Sequence, residues 1–468
     1  MEHPVPALQE RAAAAAERLL AADAVRLVSH DDADGLTSAA IAGTALDWAG
    51  VPTETQIVHG LDAAAIEELA DDGTVLFTDL GSGGLDHIAA QEGFNPVVVD
   101  HHQPVDGDVD HHLNPRCVGL DGGRELSGAG TAYVLARAIV TAAALVRDPR
   151  ELAALAVVGA VGDRQTVEGE LVGANAAIAS EGEAAGVLEV GTDLAVYGTQ
   201  TRPLPKLLEY TSEVRIPGIT GSRRGASQFL ADLPVEIQTE KGWPTWAELD
   251  GETRQAVVSG LITRAIDRGV PADRVEKLVG TRYVLPREEP GTQLRDASEF
   301  ATLLNATARY EESEVGLAVC RGDRDGALES ARELLEAHRR NIARGIEWLT
   351  ETGTETAEHV QWVHAGQEIR ATIVGIVAGM ALGSGGIDRH TPIVAFADKP
   401  EDEGVKVSAR AGGHAAGDLD LATALREAAT AVGGEGGGHA RAAGATIPAG
   451  TEEAFVEDVD RLVGDQLG

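Results

Sequence analysis

Three short apolar runs in the first hundred residues each end at acidic residues or histidines, and this pattern limits the fold most strongly. The runs at 25–29, 74–78 and 96–99 are bounded by turn residues and predict buried strands. Helical patterns at 37–48 and 63–69 lie between them. Because strands alternate with helices, the sequence predicts a parallel sheet with helices on both faces.

The rest of the chain predicts a middle region and a second α/β domain. Residues 129–145 and 151–162 predict buried, alanine-rich helices, and the strand–helix rhythm is lost after about residue 195. A long helix is expected at 327–349. The strands expected after it are 360–363, 369–374, 391–397, 405–409 and, beyond a glycine-rich loop, 444–447. We therefore expect domains at 1–195 and 301–468, with a middle or inserted region at 196–300.

The chain is strongly acidic. Its 468 residues carry a formal net charge of −37, and the lysines are Lys206, Lys241, Lys277, Lys399 and Lys406. Such a balance argues against a protein that binds nucleic acid through a generally basic surface. Many carboxylates, scarce lysine and few aromatics fit a halophilic protein, because molar salt screens self-repulsion. A specific basic partner is the alternative explanation.

The cysteines and the apolar stretches indicate the compartment. Cys117 and Cys320 lie far apart without other cysteines nearby, so neither a disulfide framework nor a zinc site is expected. The N-terminal segment has the pattern of an amphipathic helix rather than a signal peptide. The most apolar stretch, 371–382, is too short to span a bilayer. We expect a soluble, cytoplasmic protein without membrane association.

The groups that follow the predicted strands suit a divalent cation. The first strand leads into His30, Asp32 and Asp34, the second ends at Asp79, and the third ends at Asp100-His101-His102. In an open parallel sheet the carboxyl ends of the strands face a common crevice, so these groups are expected to converge. Clusters of oxygen ligands with one or two imidazoles favour Mn²⁺ or Mg²⁺. Two such ions about 4 Å apart can activate a water and bind a phosphoryl group.

Each motif also has a simpler explanation. The DxDG pattern resembles an EF-hand loop, but Ile41 stands where that loop needs a glutamate. Asp79 alone fits a helix N-cap or a turn, and Asp163 alone fits an ion pair with Arg164. A second Asp-His-His set at 110–112 follows a polar loop without a strand before it, and we interpret it as mainly structural.

Taken in order, the motifs resemble a known superfamily. HDDADG at 30–35, FTDLGS at 77–82, VVVDHHQP at 97–104 and VGAVGDR at 158–164 resemble motifs I to IV of the DHH phosphoesterases. GGEGGGHARAAGATI at 433–447 is similar to the GGGH motif of the associated DHHA1 domain. HLNP at 112–115, ELSGAGTAY at 125–133 and the segment 294–310 resemble archaeal RecJ-like nucleases, including the GINS-associated nuclease.

The resemblance implies roles for the matching positions. Asp32 and Asp34 would hold different metal ions, and Asp79 would bridge the two. His101 and Asp163 would complete the ligands of the second ion. Asp100 would orient an imidazole, and His102 would contact the scissile phosphate. His30 matches a position that binds metal in some members.

The second domain is expected to bind the nucleic-acid chain across a cleft from the DHH domain. Consecutive glycines, Gly436, Gly437 and Gly438, let backbone N–H groups approach a phosphate, and His439 can donate to its oxygens. Ser408 and Arg410 alternate on one face of the preceding strand, and arginine suits bidentate phosphate contacts.

The resemblance therefore implies a two-metal, single-strand-specific exonuclease of replication or repair, with 5′→3′ cleavage of single-stranded DNA as the leading activity. Cleavage of RNA from the 3′ end and hydrolysis of short oligonucleotides or nucleotide phosphates are the enzymatic alternatives. A GINS-binding replisome scaffold is the alternative without catalysis. The sequence also predicts positive potential only around the metals, Arg410 and His439.

Overall fold

The computed structural model describes residues 4–70, 73–211, 214–399, 404–412 and 419–468. The chain divides into two compact units, Met1–Arg332 and Glu333–Gly468. Within the described residues, no helix is both long enough and apolar enough to cross a bilayer.

The first unit is built on a five-stranded parallel sheet. Its strands are β1 (Val25–His30), β2 (Thr53–Val58), β3 (Thr74–Thr78), β4 (Asn95–Val99) and β5 (His111–Leu113). Their order across the sheet is β2-β1-β3-β4-β5, and every pair is parallel. The central strand β3 is fully buried, as expected for a parallel sheet covered on both faces.

Helices cover this sheet and begin at polar caps. They are α1 (Gln9–Leu20), α2 (Ala33–Ala49), α3 (Ala63–Leu69), α4 (Leu85–Ala90), α5 (Gly128–Ala142), α6 (Ala153–Gly162) and α7 (Gly173–Ala184), with a small hairpin of β6 (Thr166–Val167) and β7 (Glu170–Leu171). The side chains of Asp32, Asp62 and Ser127 accept hydrogen bonds from the first turns of α2, α3 and α5, which satisfies backbone donors that a helix leaves unpaired. Much of α2, α5 and α6 is buried.

In the remainder of the first unit, residues 194–278 form a hydrophobic core of their own. A two-stranded antiparallel sheet joins β8 (Glu189–Leu194) to β9 (Val279–Val284), and the helices are α8 (Leu204–Glu209), α9 (Arg223–Ala231), α10 (Gly251–Asp267), α11 (Ala272–Val275), α12 (Ala297–Ala308) and α13 (Ser313–Cys320). The buried Trp246 packs in this core with Phe229 and Leu261. The long helix α14 (Gly326–Thr352) follows.

The second unit contains a mixed six-stranded sheet. Its strands are β10 (Glu355–Thr356), β11 (Gln361–His364), β12 (Ile393–Asp398), β13 (Gly404–Arg410), β14 (Glu435–His439) and β15 (Ala442–Pro448), in the order β10-β11-β12-β13-β15-β14. Only β11 and β12 are parallel among these described pairs. The helices that follow α14 are α15 (Val374–Ala381), α16 (Leu421–Ala431) and α17 (Glu452–Leu467). The predicted combination of a parallel-sheet domain with a smaller α/β domain is therefore confirmed.

Two local predictions are wrong. Residues 369–374 form turns that lead into α15 rather than a strand, because Ile369, Ile373 and Val377 are buried at helical spacing. The predicted glycine-rich loop is the edge strand β14, paired along its length with β15. The second Asp-His-His set follows a loop, as expected, and its His111 and His112 belong to β5.

The core of the second unit predicts a strong effect of Phe396. This fully buried ring contacts Trp362 and Phe455 edge to face, with centroids 6.1 and 6.0 Å apart. We expect Phe396→Ala to lower the free energy of unfolding by about 3–5 kcal/mol, because it removes these contacts and leaves a cavity. Urea unfolding followed by tryptophan fluorescence measures the loss. Met380→Ala is the control, since this side chain is 58% exposed, and a comparable loss there would contradict the assignment of the core.

Candidate metal centre

The sheet register places the functional groups side by side. Ser29, Thr78 and Val99 are aligned across β1, β3 and β4. The residues that directly follow this row are His30, Asp79 and Asp100. Acidic and imidazole side chains therefore meet at the carboxyl edge of the sheet, as the sequence predicts.

Backbone N–H groups fix the two aspartates at the start of α2. Oδ1 of Asp32 accepts hydrogen bonds of 3.0 Å from the N–H groups of Asp34 and Gly35. The buried carboxylate of Asp34 accepts 2.7 and 2.9 Å hydrogen bonds from Gly128 and Ala129, at the N-terminus of α5. Helix N-termini favour negative charge, so both carboxylates are held in place while keeping oxygens available.

Three side chains form a first group. Nδ1 of His30 lies 3.2 Å from Oδ2 of Asp32 and 3.7 Å from Oδ2 of Asp79. One ligand atom from each of these residues falls within 4.8 Å of the others, which is compact enough to surround a single cation.

A second group contains Asp34, His101 and Asp163, again within 4.8 Å of one another. Nε2 of His101 lies 3.7 Å from Oδ2 of Asp34 and 3.8 Å from Oδ2 of Asp163. The same nitrogen lies 3.1 Å from Oδ1 of Asp79. Asp79 therefore borders both groups, one with each carboxylate oxygen, as a bridging residue would.

Asp79 is held in an uncommon conformation. Its φ is 58°, in the left-handed region that aspartate enters more easily than most residues. Its Oδ1 is buried, and no hydrogen bond of usable geometry reaches it. A Cβ on Gly128 would clash with this carboxylate, so only glycine lets α5 approach so closely. A buried oxygen left without a donor points to a cation as its partner.

His101 presents a defined nitrogen to the second group. Its Nδ1 lies 2.6 Å from the carbonyl oxygen of Gly122. Because a carbonyl only accepts, Nδ1 must donate, and in the neutral ring Nε2 then carries the lone pair toward the carboxylates. This is the arrangement that a metal-binding histidine requires.

Asp100 orients the neighbouring imidazole, that of His102. Its Oδ1 accepts a 2.8 Å hydrogen bond from Nδ1 of His102 and also the N–H of His101, and its Oδ2 accepts the N–H of Ser82. The side chain of His102 is 55% exposed. The hydrogen bond to Asp100 raises the pKa of His102, which favours the protonated form of the ring.

Crowding of negative charge perturbs the ionisation of the site. Burial, reinforced by the charge of Asp79, raises the pKa of Asp34 well above its usual range. Burial also raises the pKa of Asp163. Burial by itself would lower the pKa of His30, but the carboxylates of Asp32 and Asp79 raise it to about 12. A divalent cation would remove this conflict, and oxygen-rich ligands with one imidazole per group fit Mn²⁺ or Mg²⁺.

Apart from His102, the predicted substrate-binding residues lie in the second unit. Ser408 and Arg410 lie on one face of β13, since a Cβ on Gly375 would meet both side chains. Nη1 of Arg410 donates to the carbonyls of Ala409 and Ala443. Gly436, Gly437, Gly438 and His439 form most of β14, and Gly437 pairs with Gly444, which in turn pairs with Ser408.

Several supporting residues escaped the sequence analysis. Oδ1 of Asn305 accepts the N–H of Ala33 beside Asp32. Gln165 contacts both Asp163 and Gly122. Asn114 donates to Ser82 and to the carbonyl of His102. Gln165 is close to a recognised motif, but nothing in its residue type distinguishes it from a surface glutamine.

The close approach of Gly128 to Asp79 yields a prediction. Gly128→Ala should weaken Mn²⁺ binding about 10-fold or more, because the added methyl group would displace the carboxylate of Asp79, which borders both groups. Isothermal titration with Mn²⁺ measures the change. Gly251→Ala is the matched control: Gly251 is also the first residue of a helix, but its Cβ would meet open space. Equal Mn²⁺ affinity in both variants would show that the contact has no role.

Comparison with known proteins adds independent findings. A family model of the DHH-CID domain matches residues 196–279, and one of the DHHA1 domain matches residues 359–465. An uncharacterised protein of Methanocaldococcus jannaschii is 26% identical over 454 residues, which cover 95% of this chain and 94% of that protein.

Solved structures share the fold over almost the whole chain. Thermus thermophilus RecJ in complex with Mn²⁺ matches with a TM-score of 0.61 and 19% identity, over 98% of this chain and 55% of the RecJ chain. This chain therefore spans little more than half of that nuclease. CDC45 of Entamoeba histolytica matches with a TM-score of 0.66 and 11% identity, over 98% of each chain. The chain thus matches the DHH-CID and DHHA1 domain models over these two regions, and it shares its fold with RecJ and CDC45.

Proposed function

We propose that the chain is a metal-dependent, single-strand-specific exonuclease that hydrolyses phosphodiester bonds, with 5′→3′ cleavage of single-stranded DNA as its main activity in replication or repair. The proposal rests on the two three-residue groups. Asp79 belongs to the first group, and its Oδ1 also lies beside His101 of the second. Two Mn²⁺ or Mg²⁺ ions in these groups would supply an activated water and neutralise charge on the phosphoryl group. The DHH-CID and DHHA1 domain matches and the fold shared with RecJ support hydrolysis of phosphodiesters.

Separate residues would bind each ion and contact the phosphate. Asp32 with His30 would hold one ion, Asp34 with His101 and Asp163 the other, and Asp79 would contact both. His102 projects outward with its Nδ1 bonded to Asp100, so its Nε2 is placed to donate to a phosphate oxygen. Developing negative charge on the phosphate would be stabilised by groups that are already oriented before substrate arrives.

The second unit would hold the nucleic-acid chain. The guanidinium of Arg410, the hydroxyl of Ser408 and the imidazole of His439 are donors that suit phosphate oxygens. The glycines of β14, an edge strand, carry no side chain that would shield those backbone N–H groups that do not pair with β15. These contacts recognise the backbone of a strand and carry no base specificity.

The proposal is tested by replacing a ligand of the second group. With Mn²⁺ and molar KCl, the wild-type protein should shorten 5′- and 3′-end-labelled single strands of DNA and RNA of two lengths, with single-stranded DNA degraded fastest from its 5′ end. Asp163→Ala should lower the rate about 100-fold or more, because an ion that contacts the reacting phosphate loses a ligand. Release of labelled mononucleotide measures the rate.

Asp47→Ala is the control for that assay, because Asp47 is an exposed carboxylate on α2, the helix that carries Asp34. Intact strands after incubation with wild-type protein and Mn²⁺ would refute nuclease activity. Preferred cleavage of RNA from its 3′ end, or hydrolysis of the short strands alone, would establish one of the two enzymatic alternatives instead.

A replisome subunit is the second candidate function, and the shared fold with CDC45 favours it. The ordered ligand groups argue against a purely structural role, but a nuclease can also be a subunit of an assembly. If the chain acts in the replisome, affinity-tagged protein should retain GINS during purification at high salt, where non-specific charge contacts are screened. Loss of GINS under these conditions, with nuclease activity intact, would indicate a separate repair or RNA-decay enzyme.

A further inference from the structure

A buried chain of side-chain amides connects the ligands of the second group. Gln165 and Asn175 are 1% and 2% exposed. Nε2 of Gln165 donates 2.8 Å hydrogen bonds to Oδ2 of Asp163 and to the carbonyl oxygen of Gly122, the same oxygen that fixes the ring of His101. Both N–H groups of this amide therefore donate, one to the ligand Asp163 and the other to the carbonyl that holds the ligand His101.

The other end of the chain reaches the third ligand. Oε1 of Gln165 accepts a 2.8 Å hydrogen bond from Nδ2 of Asn175. Oδ1 of Asn175 in turn lies 3.3 Å from the N–H of Ser127, which caps α5. The next two N–H groups of α5, those of Gly128 and Ala129, hold the carboxylate of Asp34.

Backbone groups at both ends set the direction of every hydrogen bond in this chain. The N–H of Ser127 can only donate, so Asn175 must accept with its oxygen and donate with its nitrogen. Gln165 must then accept from Asn175 with its oxygen and turn its NH₂ toward Asp163 and the carbonyl of Gly122, which can only accept. A reversed Gln165 would place its oxygen against the oxygens of Asp163 and Gly122, and its NH₂ against the NH₂ of Asn175.

The first group is supported differently. Asp32 is held by the N–H groups of its own helix, and Asp79 by its position after β3. The amide chain therefore positions ligands of the second group and not those of the first.

We propose that Gln165 and Asn175 are positioning residues that set the metal affinity of the second group without contacting the ion. This inference rests on the proposed function in so far as it assumes that a cation occupies the group. Loss of the amide N–H groups would release Asp163 and remove one of the two donors to Gly122, so the three ligands would no longer be held at one distance from a common point.

Binding of Mn²⁺ alone, followed by electron paramagnetic resonance during titration of the full-length protein, tests the inference. Gln165→Met keeps the length of the side chain but removes both donors. It should weaken one of two bound ions about 10- to 100-fold and leave the other unchanged. Asn175→Asp should weaken the same ion, because a carboxylate cannot donate to Oε1 of Gln165 and favours a reversed amide.

Gln361→Met is the matched control, because Gln361 is also 1% exposed and donates with Nε2 to two carbonyls, those of Asp388 and Thr391. It should lower the melting temperature as Gln165→Met does but leave both ions bound. Should Gln165→Met fail to fold, Asn175→Asp, which preserves side-chain shape, decides the question.

Unchanged affinity for both ions in the folded Gln165 or Asn175 variants, or equal weakening of both ions, would overturn the inference. A wild-type protein that binds two ions but cleaves no strand would refute the proposed nuclease function alone. A wild-type protein that binds no Mn²⁺ would overturn both.

Discussion

Repulsion among carboxylates at one edge of a parallel sheet is the constraint on which this structure depends. Asp34, Asp79 and Asp163 surround the ring of His101, with oxygens 3.1 to 3.8 Å from its Nε2. Two like charges 4 Å apart repel by about 4 kcal/mol at an effective dielectric constant of 20. A hydrogen bond to a charged group returns about 1.5–3 kcal/mol, yet the pKa of Asp34 stays well above its usual range, so the hydrogen bonds of the site position these groups but do not balance their charge. A bound cation would balance it.

Small residues make this crowding geometrically feasible. A Cβ on Gly159 would clash with Oδ1 of Asp34, and one on Gly128 with the carboxylate of Asp79. These glycines lie in α6 and α5, whose buried, alanine-rich faces pack against α2. The helices thus serve two purposes, since they form the core of the first unit and bring the backbone donors of α5 within reach of the ligands.

The sequence predicted the parts of this centre that depend on local patterns. The residue that follows each apolar strand lies at the carboxyl edge of the sheet, so the proximity of His30, Asp79 and Asp100 follows from the topology. The strand β2 was missed because it alternates exposed and half-buried residues at the edge of the sheet. The role of Gly128 depends on contacts between segments far apart in the chain, which no local pattern reveals.

In the second unit, too, the wrong predictions concern residues whose role depends on contacts with distant segments. A run of glycines predicts a loop when only backbone freedom is considered, yet Gly436 and Gly438 lie in a strand. A Cβ at either position would press on backbone, that of Leu425 or that of Ala442. Close packing explains Gly436, and at Gly438 a φ of 130° adds a backbone conformation that favours glycine.

Local charge, rather than the net charge of −37, is what a phosphate would meet in the second unit. Lys406, Ser408 and Arg410 alternate along β13, so they share one face of the strand. Burial, together with the charges of Lys399 and Arg410, lowers the pKa of Lys406. Lys406, one of only five lysines in the chain, thus lies close enough to Lys399 and Arg410 for their like charges to disfavour its protonation. An anion on this face would relieve that repulsion, just as a cation would relieve the opposite conflict around Asp79.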